Sequence, residues 1–241
     1  MKYDFGIVKE LKENETRVAM TPDVVQMLVS EGFSIIIETR AGFLSGFSDD
    51  EYARAGAVIA DKASDVWQNC KILVKVKEPQ KQEFQYFKPD LVIFCYLHLA
   101  VEEELTKELL KKRVTAIASE SVEMPNGHLP LLTPMSEVAG RVAIQMGCNL
   151  LQLNNGGEGV LLSGVPGVQP GKVIVVGAGI VGCNAAQMAI GMGADVSVFD
   201  INSKKLVSLD TKYGASIKTH YCNSAKLLNE IDRKSTRLNS S

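Results

Sequence analysis

The sequence lacks the features that identify several large classes of protein. No C-x-x-C pair occurs among its five cysteines, so neither a disulfide framework nor a metal site such as a zinc site is indicated. No apolar run approaches the length of a membrane span, and the N-terminal residues contain no signal-peptide core. The net charge of −2 offers no basic surface for nucleic acid. We therefore expect a cytoplasmic protein that binds neither membrane nor nucleic acid.

The first half of the chain alternates short apolar segments with helical ones. Strands are predicted at 5–8, 34–38, 72–76, 91–96 and 115–119, and helices at 22–30 and 101–112. This alternation is typical of a parallel α/β sheet. The pair Thr21-Pro22 predicts a helix start, with threonine as the N-cap and proline at the first helical position.

The second half begins with a predicted long helix at 136–153, rich in Ala, Val, Met and Gln, and a glycine-dense loop or hairpin at 154–171. From residue 172 a βαβαβ pattern follows, with strands at 172–176, near 199 and at 215–219, and helices ending near 193 and 213. We predict an α/β protein of two Rossmann-like domains with parallel sheets. The domains are placed at 1–133 and 154–232, with an interdomain helix at 134–153.

A dinucleotide-binding fingerprint occupies the start of this second domain. Gly177-x-Gly179-x-x-Gly182 follows an apolar strand and opens a helix of small residues, and Asp200 ends the next apolar strand. The glycines permit a tight turn, close approach of the pyrophosphate and helix packing, while the carboxylate favours NAD over NADP. The residues expected at the nucleotide are Gly177, Ala178, Gly179, Ile180, Val181, Gly182 and Asp200.

The nucleotide-binding pattern stops after its first half, so we expect the second domain to be incomplete. A further helix is predicted from 224 to 232. Residues 233–241 carry three cations and continue no periodic pattern, so they are expected to be a disordered or foreign tail.

Three polar signatures lie at or just past predicted strand ends, where open α/β sheets bind ligands. They contain Arg17 in NETRV, Lys77 in KVKEP and His98 in YLHLA. Taken singly, each residue fits a bland role, since arginine and lysine are mostly exposed and a histidine among apolar residues is usually a core residue. Taken together, they suit a small keto or amino acid: arginine grips a carboxylate, lysine adds a cation and histidine titrates near neutral pH.

The chain resembles bacterial alanine dehydrogenase from residue 1 to about residue 231. The resemblance rests on ordered motifs, namely NETRVAMTP, GFSDDEYARAGA, LVKVKEP, YLHLA, TPMSEVAGRVA, GVLLSGVPGV and VIVVGAGIVGCNAAQMAIGMGADVSVFDIN. It implies reversible NAD-linked deamination of L-alanine to pyruvate and ammonia in a homohexamer. It also implies that Arg17 binds the substrate carboxylate, Lys77 bonds the carbonyl or carboxylate, and His98 is the acid/base. Ser136, at the start of the long helix, would contact the pyrophosphate.

Two departures from the family pattern stand out. Glu158 replaces the basic residue of a Gly-Gly-x-Gly turn. The second half of the nucleotide domain, in which the family carries a catalytic aspartate, is absent. We therefore expect the 241-residue chain to fold poorly or bind NAD weakly, and to turn over alanine little or not at all.

Two other functions remain open. The nucleotide-binding subunit of proton-translocating transhydrogenase shares the NETRVA and GAGIVG signatures, but it needs neither Lys77 nor His98, so their presence favours the dehydrogenase. The chain could also be a non-catalytic NAD-binding remnant.

Overall fold

The computed structural model describes residues 2–224, 227, 228 and 230. The chain divides into two compact units, Met1–Leu132 and Thr133–Ser241. Most of the helix predicted at 224–232, and all of the tail predicted at 233–241, lie outside the described residues. Both units are α/β structures built on parallel sheets, as predicted.

The first unit is a six-stranded parallel sheet with helices between its strands. Its strands are β1 Tyr3–Ile7, β2 Ile35–Glu38, β3 Val58–Ala60, β4 Cys70–Lys77, β5 Val92–Tyr96 and β6 Thr115–Ala118. Its helices are α1 Pro22–Ser30, α2 Asp49–Arg54, α3 Ala63–Asn69 and α4 Glu103–Lys112. The spatial order is β3-β2-β1-β4-β5-β6, so the strand order reverses between β1 and β4.

Buried apolar residues on both faces hold this sheet in place. One cluster contains Trp67, Leu73 and Ile93, and the other contains Ile37 and Tyr52. Strands covered on both faces read as continuous apolar runs, which is why the sequence locates β4 and β5 well. Burying Trp67 completely contributes roughly 3 kcal/mol or more to stability, at about 25 cal/mol for each Å² of apolar surface.

Three elements between Asp49 and Asn69, α2, β3 and α3, are absent from the sequence prediction. A capping box marks the start of helix α2. In it, the Ser48 side chain accepts from the N–H of Glu51, and the Glu51 side chain accepts from the N–H of Ser48. Strand β3 has only three residues, of which Val58 is 45% exposed, so its apolar run is too short to predict a strand. At α1, Thr21 stands at the N-cap position as expected, but its side chain makes no capping hydrogen bond.

The second unit contains a three-stranded parallel sheet in the order β7-β8-β9. Its strands are β7 Lys172–Val176, β8 Asp195–Asp200 and β9 Lys218–Tyr221, and its helices are α5 Leu132–Leu150, α6 Ile180–Gly191 and α7 Ser203–Tyr213. Helix α5 begins one residue before the unit boundary. Within the described residues this is the βαβαβ half of a dinucleotide fold, as predicted. The glycine-dense segment 154–171 is a loop with one bridge, Val165 to Val168.

Several boundaries in the second unit differ from the prediction. Helix α5 ends at Leu150 rather than at 153, and α6 ends at Gly191 rather than near 193. Helix α5 starts at Leu132 rather than at residue 136, because Pro134 falls in its first turn, where the missing N–H has no partner to lose. Strand β9 starts at Lys218 rather than at 215, since Gly214–Ser216 form a 3₁₀ turn with Gly214 at φ +53°.

Candidate active site and nucleotide-binding loop

The predicted polar residues of the first unit lie at one edge of its sheet. Arg17 is in the loop after β1, Lys77 is the last residue of β4, and His98 follows β5 by two residues. These are neighbouring parallel strands, so their carboxyl ends meet at the same edge. The edge includes the point between β1 and β4 at which the strand order reverses, where open α/β sheets bind ligands.

Arg17 is held by Glu15. Its Nη2 lies 2.6 Å from one carboxylate oxygen of Glu15, while its Nε and backbone N–H donate to the other at 2.8 and 2.9 Å. These hydrogen bonds lower the pKa of Glu15 and raise that of Arg17, and the charge of Lys77 further lowers the pKa of Glu15. The Arg17 side chain remains 47% exposed. The guanidinium is therefore oriented by a neighbour yet open to solvent.

A cavity of about 260 Å³ opens beside Arg17. Its walls carry the cations Lys9, Arg17 and Arg40 and the carboxylates of Glu10 and Glu15. The Arg40 guanidinium is 4.6 Å from the centre of the Phe43 ring. The cavity is the size of a small metabolite and carries more than one charge that could bind a carboxylate.

Lys77 stands just past an irregularity in β4. Val74 pairs with Phe94 and Lys77 pairs with Tyr96, so β4 contains one residue more than β5 between these pairs. Such a bulge bends a strand and changes the direction of the side chain that follows it. Lys77 is partly buried, and among the described residues its ammonium forms no ion pair or hydrogen bond.

Lys75, the other lysine of the KVKEP motif, has a fully buried side chain. Its ammonium lies 3.1 Å from Glu83 and 3.5 Å from Glu10, two carboxylates that are also buried. Burial raises the pKa of Glu83, although the Lys75 charge opposes this shift. The two lysines of the motif thus differ: Lys75 is locked in an internal ion cluster, and Lys77 is the one available for a ligand.

His98 is held by a buried carboxylate that the sequence analysis did not identify. Its Nδ1 lies 3.4 Å from Oε2 of Glu78, a buried oxygen that accepts no well-aligned hydrogen bond among the described residues. The other oxygen, Oε1, pairs with the Lys12 ammonium. Burial pushes the pKa of Glu78 upward, but the hydrogen bonds from Lys12 and the backbone, together with the nearby imidazole, outweigh it, so the pKa is lowered.

The backbone of His98 is in the left-handed region, with φ +51°. Non-glycine residues adopt this conformation at a cost of about 1–2 kcal/mol, so surrounding contacts must impose it. The imidazole is 42% exposed. With Nδ1 facing Glu78, Nε2 is the ring nitrogen left to exchange protons with a ligand or water.

In the second unit, two of the three glycines of the fingerprint are required by the backbone, and the third is not. Gly177 has φ +100°, a conformation that a side chain strongly disfavours. A Cβ on Gly182 would lie 1.8 Å from the carbonyl oxygen of Gly177, so only glycine lets α6 approach the end of β7 this closely. Gly179, at the N-cap of α6, has ordinary dihedral angles, and a Cβ there would meet nothing within 4 Å.

Asp200 accepts two backbone hydrogen bonds at the end of β8. Its Oδ2 accepts from the N–H of Ala178 at 2.6 Å and its Oδ1 from the N–H of Asn202 at 2.7 Å. These bonds, first that from Asn202, lower the pKa of Asp200. The acid therefore also holds the glycine-rich loop in place. Each oxygen has a second lone pair with which to accept from a ribose hydroxyl.

Ser136 is not at the start of its helix, contrary to the prediction, because α5 begins four residues earlier. It lines an apolar cavity of about 560 Å³ together with Ile144, the residues of β7 from Val173 onward and the first turn of α6. Ile180 and Val181, which were expected at the nucleotide, lie on the same wall.

The loop of the second unit fits an NAD group. The open space in front of Gly179 leaves room for a pyrophosphate, and no side chain caps the N-terminus of α6, so its N–H groups can receive an anion. Asp200 stands at the strand end where the fingerprint requires an acid.

Other classes of site receive no support from the described residues. They contain no group of three or more His, Cys, Asp or Glu that could hold a metal ion. All five cysteines are free thiols; Cys95 is buried, as expected, whereas Cys183 is only partly so. No helix within this part of the chain has the length and apolar character needed to cross a membrane.

Comparison with known proteins gives the same family along almost the whole chain. The family model "Alanine dehydrogenase/PNT, N-terminal domain" matches residues 6–139, and "Alanine dehydrogenase/PNT, C-terminal domain" matches residues 143–236. The alanine dehydrogenase of Methanococcus maripaludis is 48% identical over 228 residues, which are 95% of this chain and 61% of the relative.

Solved structures agree. An L-alanine dehydrogenase has a TM-score of 0.87 at 48% identity and is matched over 92% of this chain and 62% of its own. The transhydrogenase from Sinorhizobium meliloti has a TM-score of 0.78 at 25% identity, with 95% and 67% covered. The chain thus spans 61% and 62% of the length of the two alanine dehydrogenases described here. With both family models matched and such identity, the chain belongs to the alanine dehydrogenase/PNT family.

Proposed function

We propose that this protein binds NAD and L-alanine, and that it serves the reversible oxidative deamination of L-alanine to pyruvate and ammonia. The observation that carries the proposal is the cluster of Arg17, Lys77 and His98 at one sheet edge of a chain that also has a complete nucleotide fingerprint. We further propose that residues 1–133 hold the amino acid, that 134–153 connect the domains, and that 154–232 hold the nucleotide. The protein would be cytoplasmic and would act as a homohexamer.

The first unit supplies the amino-acid contacts in this proposal. Arg17 binds the substrate carboxylate with the exposed part of its guanidinium, whose direction Glu15 fixes. Lys77, whose ammonium has no partner among the described residues, bonds the carbonyl or carboxylate oxygen. Two cations around one carboxylate fix the α-carbon in position, and positioning supplies much of an enzyme's acceleration.

His98 moves protons in this proposal. Once the hydride has left the α-carbon, water adds to the resulting iminium carbon and Nε2 takes a proton from that water; ammonia then leaves as the carbonyl of pyruvate forms, and the reverse reaction returns the proton. Glu78 faces Nδ1, so it orients the ring, as the third member of a nucleophile–base–carboxylate array does.

The second unit holds the nucleotide in this proposal. Residues 177–182 surround the pyrophosphate, with Ser136 nearby, and Asp200 accepts from the adenosine ribose. When bound, NAD supplies the acceptor for the hydride that leaves the substrate. The Asp200 carboxylate disfavours a 2′-phosphate, so NAD is preferred over NADP.

Binding to the purified chain tests the proposal most directly. Calorimetry should detect NADH, and pyruvate in the presence of NADH. Arg17→Ala should abolish pyruvate binding while NADH binding persists, because the two ligands use different units. Lys112→Ala, at the last residue of α4, is the control and should change neither. Nucleotide binding without any pyruvate or alanine binding would favour the transhydrogenase alternative and overturn the proposal.

Turnover provides a second test. Because the chain spans about three fifths of its relatives, we expect little or no alanine-dependent NADH formation from the 241 residues alone. A version extended to the relatives' full length should be active. In that version His98→Asn, which tolerates the left-handed backbone, should abolish turnover and leave NADH binding intact. Full activity of His98→Asn would remove His98 from the mechanism.

A further inference from the structure

The backbone N–H groups of two proposed site residues, Lys77 and His98, donate hydrogen bonds to carboxylates from other parts of the chain. Glu10, in the loop after β1, accepts from the N–H of Val76 at 2.7 Å and from that of Lys77 at 3.2 Å. Glu120, in the 3₁₀ turn after β6, accepts from the N–H of Leu97 at 3.2 Å and His98 at 2.7 Å. In both cases the two carboxylate oxygens each take one of two consecutive N–H groups.

This arrangement needs a carboxylate. An ionised glutamate offers only acceptors, whereas a glutamine of the same shape would turn an NH₂ donor toward one of the two backbone donors. Hydrogen bonds to an ionised acceptor are also stronger than neutral ones. The substitution of glutamate by glutamine therefore removes one bond and weakens the other, with almost no change in volume.

Both glutamate contacts lie where the regular hydrogen bonding between strands is interrupted. Lys77 follows the bulge in β4, and His98 follows β5 in the left-handed conformation. At such points the N–H groups lose their partners in the neighbouring strand and need another acceptor. The glutamates supply it. Glu10 is itself 2% exposed and lies 3.5 Å from the buried Lys75 ammonium, so its position is fixed from within the core.

We propose that Glu10 and Glu120 are positioning residues that grip consecutive backbone N–H groups and thereby set the directions in which the Lys77 and His98 side chains leave the sheet edge. The catalytic use of Lys77 and His98 rests on the proposed function, but the hydrogen bonds from the backbone N–H groups to the glutamates do not. Through these backbone hydrogen bonds Glu10 reaches Lys77 but not His98, and Glu120 reaches His98 but not Lys77. The proposal therefore requires two separate effects rather than one general loss of structure.

The experiment uses Glu10→Gln and Glu120→Gln in the 241-residue chain, with Glu51→Gln as control. Glu51 also accepts from a backbone N–H, that of Ser48, but it belongs to the capping box of α2, which glutamine preserves. Amide hydrogen exchange and amide proton shifts are measured by NMR. In Glu120→Gln the N–H of His98 should exchange about tenfold faster, and its proton should move upfield. The N–H of Lys77 should not change.

Glu10→Gln should give the reverse pattern, with changes at Val76 and Lys77 and none at His98. Side-chain labelling provides a second readout. An amine reagent on Lys77 and diethylpyrocarbonate on His98 should each change rate at least about threefold only in the variant of the matching glutamate. His128, an exposed loop residue whose N–H donates to Asn126 rather than to either glutamate, is the internal reference.

Several results would overturn the proposal. Equal changes at Lys77 and His98 in both variants would mean that the glutamates only stabilise the fold. Unchanged exchange at the gripped N–H groups would mean that no grip exists. Should a variant fail to fold, the unmodified chain still decides, because rapid exchange of the His98 N–H there contradicts the proposal. If each variant changes only its own site residue but the chain binds no pyruvate, the positioning role of the two glutamates is supported and only the proposed function is overturned.

Discussion

Gly179 offers the sharpest test of nucleotide binding, because its replacement should harm binding and leave the fold intact. Its φ is −81° and a Cβ would meet nothing within 4 Å, so Gly179→Ala introduces neither strain nor a clash. We expect the free energy of unfolding to change by less than about 0.5 kcal/mol. The new methyl group would fill the space proposed for the pyrophosphate. At a cost of about 1–3 kcal/mol, NADH affinity should fall roughly five- to hundredfold.

The neighbouring glycines are the matched controls for this substitution. Gly177→Ala should cost about 1–2 kcal/mol of stability through its positive φ alone. Gly182→Ala places a Cβ 1.8 Å from a carbonyl oxygen, so it should destabilise the second unit by about 1–3 kcal/mol or more. Urea unfolding followed by circular dichroism measures stability, and NADH fluorescence measures binding. If Gly179→Ala binds NADH like the unmodified chain, the pyrophosphate does not lie against this loop.

Three further predictions concern single groups. Asp200→Asn removes the charge and, because an amide has one acceptor oxygen, also one of the two backbone hydrogen bonds; the preference for NADH over NADPH in fluorescence titrations should fall about tenfold, and an unchanged preference would contradict the role of Asp200. The lowered pKa of Glu78 adds stability above the unfolded value of about 4.3 and loses it as the pH falls further, so the stability difference between the unmodified chain and Glu78→Gln, from urea unfolding at several pH values, should shrink below pH of about 4.3. Burial raises the pKa of Cys70 to about 11 and also raises that of Cys95, so thiol reagents at pH of about 8 should label them only after unfolding, and rapid labelling of the folded chain would refute this.

The sequence predicts well those elements whose pattern is strong and local. Strand β4 is buried on both faces from residue 73 to 76, and β5 is buried on one face and half-buried on the other, so both contain apolar runs. Helix α1 is predicted with both of its ends correct. Segment 49–69 was missed because β3 is short and half exposed, although the capping box at Ser48 was a usable signal. The start of α5 was misplaced because Pro134 resembles a break but is tolerated in a first helical turn.

The candidate site was predictable only in part. The strand-end positions of Arg17, Lys77 and His98 follow from local motifs. Their partners do not, because Glu10 is separated from Lys77 by 67 positions and Glu120 from His98 by 22. No periodicity links residues that meet only when neighbouring strands bring their ends together. Glu78 is adjacent to Lys77 in the KVKEP motif, but the motif alone does not predict that the Glu78 carboxylate faces His98.

Five non-glycine residues of the first unit have positive φ angles, and they are divided unevenly between the two edges of its sheet. Asn14, Arg40 and His98 follow strands at the carboxyl edge, whereas Asp90 and Arg113 precede strands at the opposite edge. Glycine would relieve the same backbone tension at any of the five. At Asp90 or Arg113 the glycine would increase the stability of the protein. At the carboxyl edge, where the ligand is proposed to bind, it would make the backbone of the site more flexible. An engineer seeking heat tolerance should therefore begin at the amino ends of the strands.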